Sequence, residues 1–430
     1  MSTDSSTHAG NRKVKGIRDP IYGLISIDEE LISSPYFQRL RYVVQNGMAY
    51  LVFPSMRHSR FEHSLGTYYQ FQKISEKLRD YVKDELELVG KLALYHDIGH
   101  LPFSHTFEYS FEVLRYLNRE LYEEILKKVT GETQKQTAKL HEYMGMRILR
   151  EIKEEEVADL MKGVYQGGGQ NDLVGLATLI INSKDLDIDR LDYLQRDSYY
   201  SGTKYGLLPV DRLWDFEIVK KNEKFKYLFR LKSIDDLEHY FLARYHMYSS
   251  IYNHCVVEIF NRIMAFLIAK LIADGFIKPE EIYEPSRFLN FTDDSILAAL
   301  KVAVERKEEY RPFYESIYLR RKYSRAMLTG DEAQNLKSIL EDKSEAEPIY
   351  SELVRLNGSA VIGANEIVME SQNILIRKDE HVKLSLNESR EVNLPSKRYK
   401  VCIGVYDSKA METIINLFKR YHISLNFRNS

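Results

Sequence analysis

The sequence predicts a mainly α-helical protein that carries a smaller α+β unit at its carboxyl end. Two observations predict the helices. Glycine and proline are scarce, with 21 and 10 copies among 430 residues, so few residues interrupt helices or form tight turns. Apolar residues also recur at helical spacing over most of the first 340 positions. The α+β unit is predicted because β-rich runs bounded by Gly, Asn, Asp and Pro begin near residue 359.

After the first residues, the sequence predicts an extended stretch with a turn at residues 17–23, because Pro20 and Gly23 favour turns. A succession of helices follows. The helix at 85–95 shows the reason for this prediction, since its leucines and Tyr95 form one apolar stripe. The predicted helices cover residues 31–45, 61–83, 85–95, 110–129, 140–151, 155–165 and 173–198 with a break near Asn182. Residues 231–274 are predicted to form one or two long helices, and the helical pattern continues over 286–342.

The carboxyl-terminal part has a different composition. Strands are predicted at residues 359–370, 373–377, 382–387 and 399–406, and an amphipathic helix at 409–421 closes the chain. We place a domain boundary near Glu345. The predicted organisation is a disordered tail at 1–15, a helical domain at 16–345 and a small α+β domain at 346–430.

The composition excludes several classes of protein. The 61 basic and 63 acidic residues give a net charge of −2, so no global charge favours nucleic acid or an anionic membrane. Cys255 and Cys402 are the only cysteines, which excludes a disulfide framework and favours a reducing compartment. No apolar stretch reaches the length that a membrane span needs. We expect a soluble, cytoplasmic protein with no membrane partner.

Histidines are concentrated in one part of the chain. Six of the twelve fall within residues 58–141, and we expect His58 among them to be structural. His96 and Asp97 follow directly on the apolar helix at 85–95, which places an imidazole and a carboxylate side by side at a rigid point. This combination suits a divalent transition metal. His63, on the preceding helix, is the best candidate for a further ligand.

A fourth, acidic ligand is expected from residues 187–197. On a helix, five polar residues of this segment share one continuous face. They are Asp189, Asp192, Tyr193, Arg196 and Asp197. A solvated face with charge pairs is the alternative interpretation. The apolar and aromatic flanks of the segment favour the lining of a site.

The ordered set of these motifs resembles the H…HD…D signature of HD-superfamily metal-dependent phosphohydrolases. The segment from Arg60 to Gly66, the pair His96-Asp97 and Asp189 carry the resemblance. The chain is most similar to the deoxynucleoside triphosphate triphosphohydrolase branch, which includes proteins with SAM and HD domains. The similarity is strong over residues 16–273 and weak beyond them.

The resemblance implies the roles of the acids and histidines. The implied metal ligands are His63, His96, Asp97 and Asp189. His105, oriented by Glu108, is implied to protonate the leaving 5′ oxygen or otherwise assist attack. Glu108 stands where close relatives have Asp. His100 and His141 match further active-site histidines. The ion is one of Mn, Fe, Mg, Zn, Co or Ni, and the sequence does not distinguish them.

The resemblance also implies the substrate contacts. The positions that match are Arg60, Gln45, Arg190, Tyr193, Asp197, Arg244, Tyr248 and Tyr252. Arginines at these positions offer charge-assisted contacts to a triphosphate. Gln45 matches a residue that touches the sugar 3′ hydroxyl. Tyr248 departs from the His of the relatives, which puts base or sugar contacts there in doubt.

A regulatory nucleotide site is a further implication. Gln38 and Arg41 match positions of a nucleotide site between subunits, whereas Ser33 replaces the acid that reads guanine. We therefore expect guanine-specific activation to be altered or missing. The resemblance also implies a homo-oligomer, either a dimer or a tetramer.

The implied reaction is the hydrolysis of a dNTP to deoxynucleoside and tripolyphosphate, by attack of metal-activated water on the α-phosphorus. The residues alone show only a metal site beside basic side chains. Two alternatives remain open. One is an HD-type phosphatase or phosphodiesterase that acts on a monophosphate, cyclic or alarmone nucleotide. The other is a nucleotide- or nucleic-acid-binding module with a weak site, for which the basic run at 320–325 is the only support.

Overall fold

We describe a computed structural model of the chain. It describes residues 13–82, 85–131, 139–167, 171–368, 371, 374–377, 383–385 and 397–428. The predicted tail lies outside these residues up to position 12. The helices are numbered in chain order: α1 (Glu29–Ile32), α2 (Pro35–Arg39), α3 (Arg60–Val82), α4 (Leu86–Tyr95), α5 (His105–Leu117), α6 (Arg119–Thr130), α7 (Leu140–Glu151), α8 (Glu155–Gln166), α9 (Asp172–Ile181), α10 (Ile188–Ser201), α11 (Val210–Leu213), α12 (Ile234–Met247), α13 (Cys255–Ala273), α14 (Glu280–Tyr283), α15 (Pro285–Phe288), α16 (Asp293–Arg306), α17 (Arg311–Tyr318), α18 (Gly330–Glu341), α19 (Lys343–Arg355) and α20 (Ser408–Lys419).

The predicted fold class is confirmed, and several helices match their predictions closely. α3, α4, α7 and α8 begin and end within one residue of the predicted bounds wherever those ends are described. Their apolar residues pack into one continuous core. α13 lies at the centre of that core, because nearly every residue from Val257 to Ile272 is buried. α13 packs against α5 and so supports the helix that begins at His105.

Three predicted helices are interrupted. The segment 31–45 contains only short helical pieces, namely α1, α2 and a 3₁₀ turn at Leu40–Tyr42. The segment 110–129 is divided at Asn118, whose side chain accepts a hydrogen bond from the Leu121 N–H and so caps α6. The predicted break near Asn182 extends to Asp187, which caps α10 in the same way. Capping side chains therefore set boundaries that hydrophobic periodicity does not show.

The strands form three sheets. They are β1 (Val14–Asp19), β2 (Gly23–Asp28), β3 (Phe216–Lys221), β4 (Lys224–Arg230), β5 (Ser324–Thr329), β6 (Ala360–Val368), β7 (Ile374–Arg377), β8 (Lys383–Ser385) and β9 (Lys397–Val405). β1 and β2 form a hairpin at the predicted extended entry, with Val14 opposite Asp28. The other sheets have the orders β3-β4-β7-β8 and β5-β9-β6.

The hairpin β3–β4 was not predicted from the sequence, and β5 lies in a segment that was wrongly predicted to be helical. Four lysines in the hairpin obscure its alternating pattern, and the two residues that connect its strands, Asn222 and Glu223, both have positive φ. Such a two-residue turn matches the twist of paired strands. β5 pairs antiparallel with β9. This pairing supplies the hydrogen bonds of the strand, which the sequence of β5 alone does not indicate.

Strand pairing crosses the predicted domain boundary in both directions. β4 pairs in parallel with β7, so Tyr227 lies opposite Ile374. β5 precedes the boundary but pairs with β9, with Ala326 opposite Ile403. Glu345 itself lies inside α19. The division into two domains therefore stays a prediction. None of the helices that the structure describes is long and apolar enough to cross a membrane.

Candidate active site

Four imidazole and carboxylate side chains meet where α3, α4 and α10 converge. We call them the metal-donor group: His63, His96, Asp97 and Asp189. His63 Nε2 lies 3.0 Å from Asp189 Oδ1 and 3.4 Å from Asp97 Oδ2. His96 Nε2 lies 3.5 Å from Asp97 Oδ1 and 3.9 Å from Asp189 Oδ1. The structure thus brings together the four residues that the sequence predicts as metal ligands.

The protein holds the outer nitrogen of each imidazole in this group. His63 Nδ1 lies 2.7 Å from Asp192 Oδ2, and His96 Nδ1 lies 3.0 Å from the carbonyl oxygen of Ala93. The two Nε2 atoms are buried and have no hydrogen-bond partner of good geometry. Metal-binding histidines typically donate their second N–H to such an oxygen, which fixes the tautomer. The residues therefore fit a divalent metal ion.

A buried ion-pair chain lies behind His63. Asp192 accepts two hydrogen bonds from Arg196, at 3.0 and 2.9 Å, and Arg196 also contacts Asp19 at 2.7 Å. Gly66 on α3 leaves space for these ion pairs, because a Cβ there would lie 1.8 Å from Asp192 Oδ1. Sequence analysis placed Asp192 on the polar face but gave it no role. The signal was available, since Asp192 lies one turn after Asp189.

The carboxylates dominate the electrostatics of the metal-donor group. Burial opposes the charged imidazolium of His63, but Asp189 and Asp192 outweigh burial and raise its pKa to about 10. Burial likewise opposes ionisation of Asp97, yet Arg60 holds the pKa of that carboxyl well below its usual range. Against the same burial, Arg196 lowers the pKa of Asp192 to about 2. In the absence of a metal, His63 therefore holds a proton among these carboxylates at neutral pH, and a divalent ion would displace that proton.

A second cluster lies beside the first. We call it the histidine–glutamate group: His100, His105, Glu108 and His141. His105 Nδ1 lies 3.1 Å from Glu108 Oε2, and His141 Nδ1 lies 2.5 Å from Glu108 Oε1. His100 stacks on His141 with ring centroids 3.9 Å apart. Gly99 allows α7 to approach, because a Cβ there would lie 2.1 Å from the His141 carbonyl oxygen.

The three histidines of this second cluster have donor atoms within 4.8 Å of one another. Their geometry differs from that of a metal site, because the planes of His100 and His141 are only 13° apart. Lone pairs on stacked rings run side by side, whereas a single ion about 2 Å from each nitrogen needs converging ones. The arrangement suits contacts to an anion and the movement of a proton.

The pKa shifts in this group favour neutral His100 and His105 beside an ionised Glu108. His105 is half-exposed to the cavity but set deep in the protein, and this desolvation together with Lys139 lowers its pKa to about 4. Burial and Arg60 lower the pKa of His100. Burial opposes ionisation of Glu108, but His141 and His105 hold its pKa well below its usual range. Glu108 therefore keeps the Nδ1 protons of its two partners.

Both groups face one cavity of about 400 Å³. Arg60 lies between them. It donates to Asp97 Oδ2 at 2.6 Å, to Ser104 Oγ at 2.9 Å and to the Gln45 carbonyl oxygen at 3.2 Å. The side-chain oxygen of Gln45 is buried and has no hydrogen-bond partner. Next to the metal-donor group, the cavity therefore offers the positive charge of Arg60, which is already hydrogen-bonded within the protein, and the free acceptor oxygen of Gln45.

Most of the predicted substrate residues line this cavity. They are Gln45, Arg60, Arg190, Tyr193, Asp197, Tyr248 and Tyr252. Arg190 pairs with Asp187 and with the Ser183 carbonyl oxygen. The hydroxyls of Tyr193 and Tyr248 are 2.9 Å apart. Arg244 does not line the cavity, because it donates to the Lys184 carbonyl oxygen from behind Tyr248.

Asp197 is surrounded by hydrogen-bond donors of the protein itself. It accepts from Tyr252 and Asn46, both at 2.7 Å, and lies 2.6 Å from His58 Nε2. His58 is buried and stacks on Tyr200. Sequence analysis gave no role to Asn46, which lines the cavity. The sequence could have indicated Asn46, because it directly follows Gln45, a predicted substrate residue.

The predicted regulatory residues lie away from this cavity. Gln38 donates to the Ile32 carbonyl oxygen and accepts from Arg41 Nε at 2.8 Å. The Arg41 guanidinium stacks over the ring of Phe61, with 3.5 Å between them. The two predicted residues are therefore neighbours, and their role in binding a nucleotide stays a prediction.

Comparison with known families decides the affiliation. Residues 60–197 match the HD domain family, and residues 224–411 match the HD associated region. The chain belongs to the HD superfamily. The HD pair is His96-Asp97, so the convergent donors described above lie at the signature of the superfamily. The family resemblance stated from the sequence is confirmed.

The relatives place this HD protein near the deoxynucleoside triphosphate triphosphohydrolase branch. An uncharacterized protein of Methanocaldococcus jannaschii is 32% identical over 67% of the chain. A deoxynucleoside triphosphate triphosphohydrolase SAMHD1 homolog of Dictyostelium discoideum is 29% identical over 74%. The matches span 56% and 62% of the lengths of these relatives. A crystal structure of a hypothetical protein from Aquifex aeolicus has a TM-score of 0.68, 27% identity, and coverage of 94% of this chain and all of its own.

Proposed function

We propose that the protein is a metal-dependent triphosphohydrolase that converts a dNTP to deoxynucleoside and tripolyphosphate. One observation carries the proposal. A metal-donor group and a histidine–glutamate group face the same cavity, with arginine and tyrosine side chains on its walls. Several relatives are named deoxynucleoside triphosphate triphosphohydrolases, which supplies the substrate class.

His63, His96, Asp97 and Asp189 would hold the metal. Mn, Fe, Mg, Zn, Co and Ni are all candidates. When bound, such an ion polarises a phosphoryl oxygen and lowers the pKa of a water molecule. The buried Nε2 atoms and the ionised carboxylates of this group are the contribution of the chain to that chemistry. The carboxylates also balance the charge of the ion.

The histidine–glutamate group would manage the proton. Glu108 keeps the Nδ1 of His105 and His141 protonated, so the opposite nitrogen of each ring is free to interact with a ligand. The pKa of His105 is lowered to about 4, because the ring is desolvated and Lys139 is close. At neutral pH the free nitrogen of this ring carries no proton, so it would take one from the attacking water and then give it to the departing 5′ oxygen. Glu108 would then stabilise the charged ring while the proton is in transit.

The cavity walls would bind the nucleotide. A volume of about 400 Å³ lies within the range of small-molecule sites. Arg60 and Arg190 line it and supply positive charge for a triphosphate. The free oxygen of Gln45 is a suitable acceptor for a sugar hydroxyl. Tyr193, Tyr248, Tyr252 and Asp197 complete the proposed substrate contacts, with Arg244 supporting Tyr248 from behind.

Regulation and assembly belong to the same proposal. Gln38 and Arg41 would contact an activating nucleotide at the interface of a dimer or tetramer. Guanine-specific activation would be altered, because Ser33 carries no charge to read that base. We place the protein in the cytoplasm, where its two buried cysteines would stay reduced.

Product analysis tests the proposal directly. Purified protein is incubated with Mn²⁺ and each of the four dNTPs, with and without GTP or dATP, and the products are separated by anion exchange. We expect nucleoside and tripolyphosphate from the wild type. Asp97→Ala should abolish turnover, while Asp294→Ala, a change of the same type at an exposed position, should not. Orthophosphate or pyrophosphate as the product, or no turnover of any dNTP, would refute the triphosphohydrolase reaction.

A further inference from the structure

The loop that joins the two groups has a strained backbone. It runs from His100 to Ser104 and leads directly into His105, the first residue of α5. Phe103 has a φ of 58°, and Ser104 has a φ of 56° with a ψ of −131°. Neither residue is glycine, and both are buried. Such conformations persist only when the surrounding structure holds them in place.

Two buried charged residues hold this loop. Asp293, the first residue of α16, accepts a hydrogen bond from the Phe103 N–H at 2.6 Å through Oδ1. Arg39 of α2 donates to the His100 carbonyl oxygen at 2.7 Å. The guanidinium of Arg39 also donates to the Phe291 carbonyl oxygen, at 2.9 Å from Nε. The loop is therefore fastened to the segment that precedes α16, about 190 residues later in the chain.

Asp293 also contacts the segment that precedes Gln45. Its Oδ2 accepts a hydrogen bond from the Val44 N–H at 2.9 Å. The Val44 carbonyl oxygen in turn accepts from Ser104 Oγ, and Ser104 Oγ accepts from Arg60 Nε at 2.9 Å. One carboxylate thus aligns the loop that carries His105 and the segment that carries Gln45, and it supports the arginine between them.

We propose that Asp293 is a positioning residue of the active site, which fixes His105 and Arg60 through the Phe103–Ser104 turn and Val44. The kinetic part of this inference rests on the function proposed above. Asp293 lies within the HD associated region, so the inference gives that region a task at the reacting end of the cavity. Each of the two backbone N–H donors has its own acceptor oxygen on Asp293, and an amide side chain has only one oxygen.

The test compares Asp293→Asn with Asp294→Asn. Asp294 is the next residue, lies in the same first turn of α16 and is exposed, so its variant makes the same charge change without touching the loop. We expect Asp293→Asn to lower kcat for the dNTP at least tenfold, with KM within threefold and bound metal unchanged. We expect Asp294→Asn to behave as the wild type. A lower melting temperature with kcat per folded molecule unchanged would overturn the inference.

A second readout does not depend on turnover. Diethyl pyrocarbonate modifies accessible imidazoles, and mass spectrometry follows His105 with exposed His239 as the internal reference. We expect Asp293→Asn to change the His105 rate severalfold relative to His239, and Asp294→Asn to leave it unchanged. An unchanged His105 rate in Asp293→Asn would count against the inference. If the wild type turns over no dNTP, the proposed function has failed, and this readout still decides the positioning role.

Asp293→Asn could fail to fold, because it leaves a buried N–H without an acceptor. Asp293→Glu then takes its place, since it keeps both acceptor oxygens on a longer side chain. We expect the same pattern with a smaller loss of kcat. A Glu variant with wild-type kcat and wild-type His105 reactivity would overturn the inference.

Discussion

The two histidine groups of the cavity use the same side chain in opposite ways. In the metal-donor group, the rings of His63 and His96 are 5.3 Å apart and inclined at 76°, and each is anchored from outside. The Nε2 atoms of the two rings have no hydrogen-bond partner and converge on the same space. In the histidine–glutamate group, two rings lie nearly parallel and two share one carboxylate inside the group.

The difference teaches that the anchor, more than the residue type, determines what an imidazole can do. Separate anchors, Asp192 on α10 and the Ala93 carbonyl oxygen on α4, leave the inner nitrogens of His63 and His96 convergent, which suits a cation. A shared anchor couples two rings to each other, which suits the transfer of a proton. The predictions below change one anchor at a time, so that each group should lose only its own property.

The largest effect is expected from the shared anchor. Glu108→Gln keeps the size of the side chain but leaves one acceptor oxygen for two imidazole N–H donors. We expect kcat to fall on the order of 100-fold or more, since general acid–base groups contribute 10²–10⁴. Steady-state kinetics and metal analysis check this, with bound metal expected to stay at the wild-type level.

Two further variants sharpen this result. Glu108→Asp retains the carboxylate and should recover much of the lost kcat. Glu120→Gln, an exposed change on α6, should have no effect. Loss of metal in Glu108→Gln would contradict the separation of the two groups.

An intermediate effect is expected from the outer anchor of His63. Asp192→Asn removes the charge that holds His63 Nδ1 and half of the ion pair with Arg196. We expect a 10- to 100-fold lower metal affinity, the usual cost of losing such a support, and recovery of activity at high metal concentration. Metal titration followed by activity measures this. Asp211→Asn at an exposed position is the control, and an unchanged metal affinity in Asp192→Asn would refute the role of the anchor.

The smallest effect concerns stability and pH at Asp293, which supports the loop between the groups. Burial raises its pKa to about 7, despite the two N–H donors and Arg39, and Asp294 adds to the rise. The folded state therefore binds more protons than the unfolded state between about pH 4 and pH 7, so this group makes stability fall as pH rises through that range.

Urea unfolding at pH 5 and pH 8 checks the sign of this dependence. The wild type should gain stability relative to Asp293→Asn at the lower pH, by at most about 1.4 kcal/mol per pH unit. Asp294→Asn should show the same sign with a weaker pH dependence, because the Asp294 charge adds to the rise of the Asp293 pKa. A relative loss of stability at pH 5 would show that the Asp293 carboxyl titrates below its ordinary range.

Local signals sufficed for some elements and failed for others. α7 and α8 were predictable because their apolar residues recur at helical spacing. β5 was not, because its pairing partner β9 lies more than 70 residues away. The hairpin β3–β4 was missed because its exposed lysines conceal the buried positions Phe216 and Ile218. Pairing across the chain is a tertiary property that short windows do not contain.

The candidate site shows the same limit. The metal-donor group was predictable as a set, because the spacing of its motifs is specific. The residues that position this group and the neighbouring loop were not predictable. Asp192 needs the position of His63 to show its purpose, and Asp293 needs a loop 190 residues earlier. Residues that act through backbone groups leave no pattern of side-chain types in a sequence.

The interlaced strands have a consequence for dividing the chain. β4 takes β7 as a neighbour from beyond residue 345, and β9 takes β5 from before it. A cut at that position would separate β3 and β4 from β7 and β8, and β5 from β9 and β6, so both pieces would carry unpaired strand edges. Free edges recruit other strands, so the separated pieces should either recombine with each other or aggregate. Shortened versions of this protein are therefore best designed from the strand ladders rather than from the change in composition.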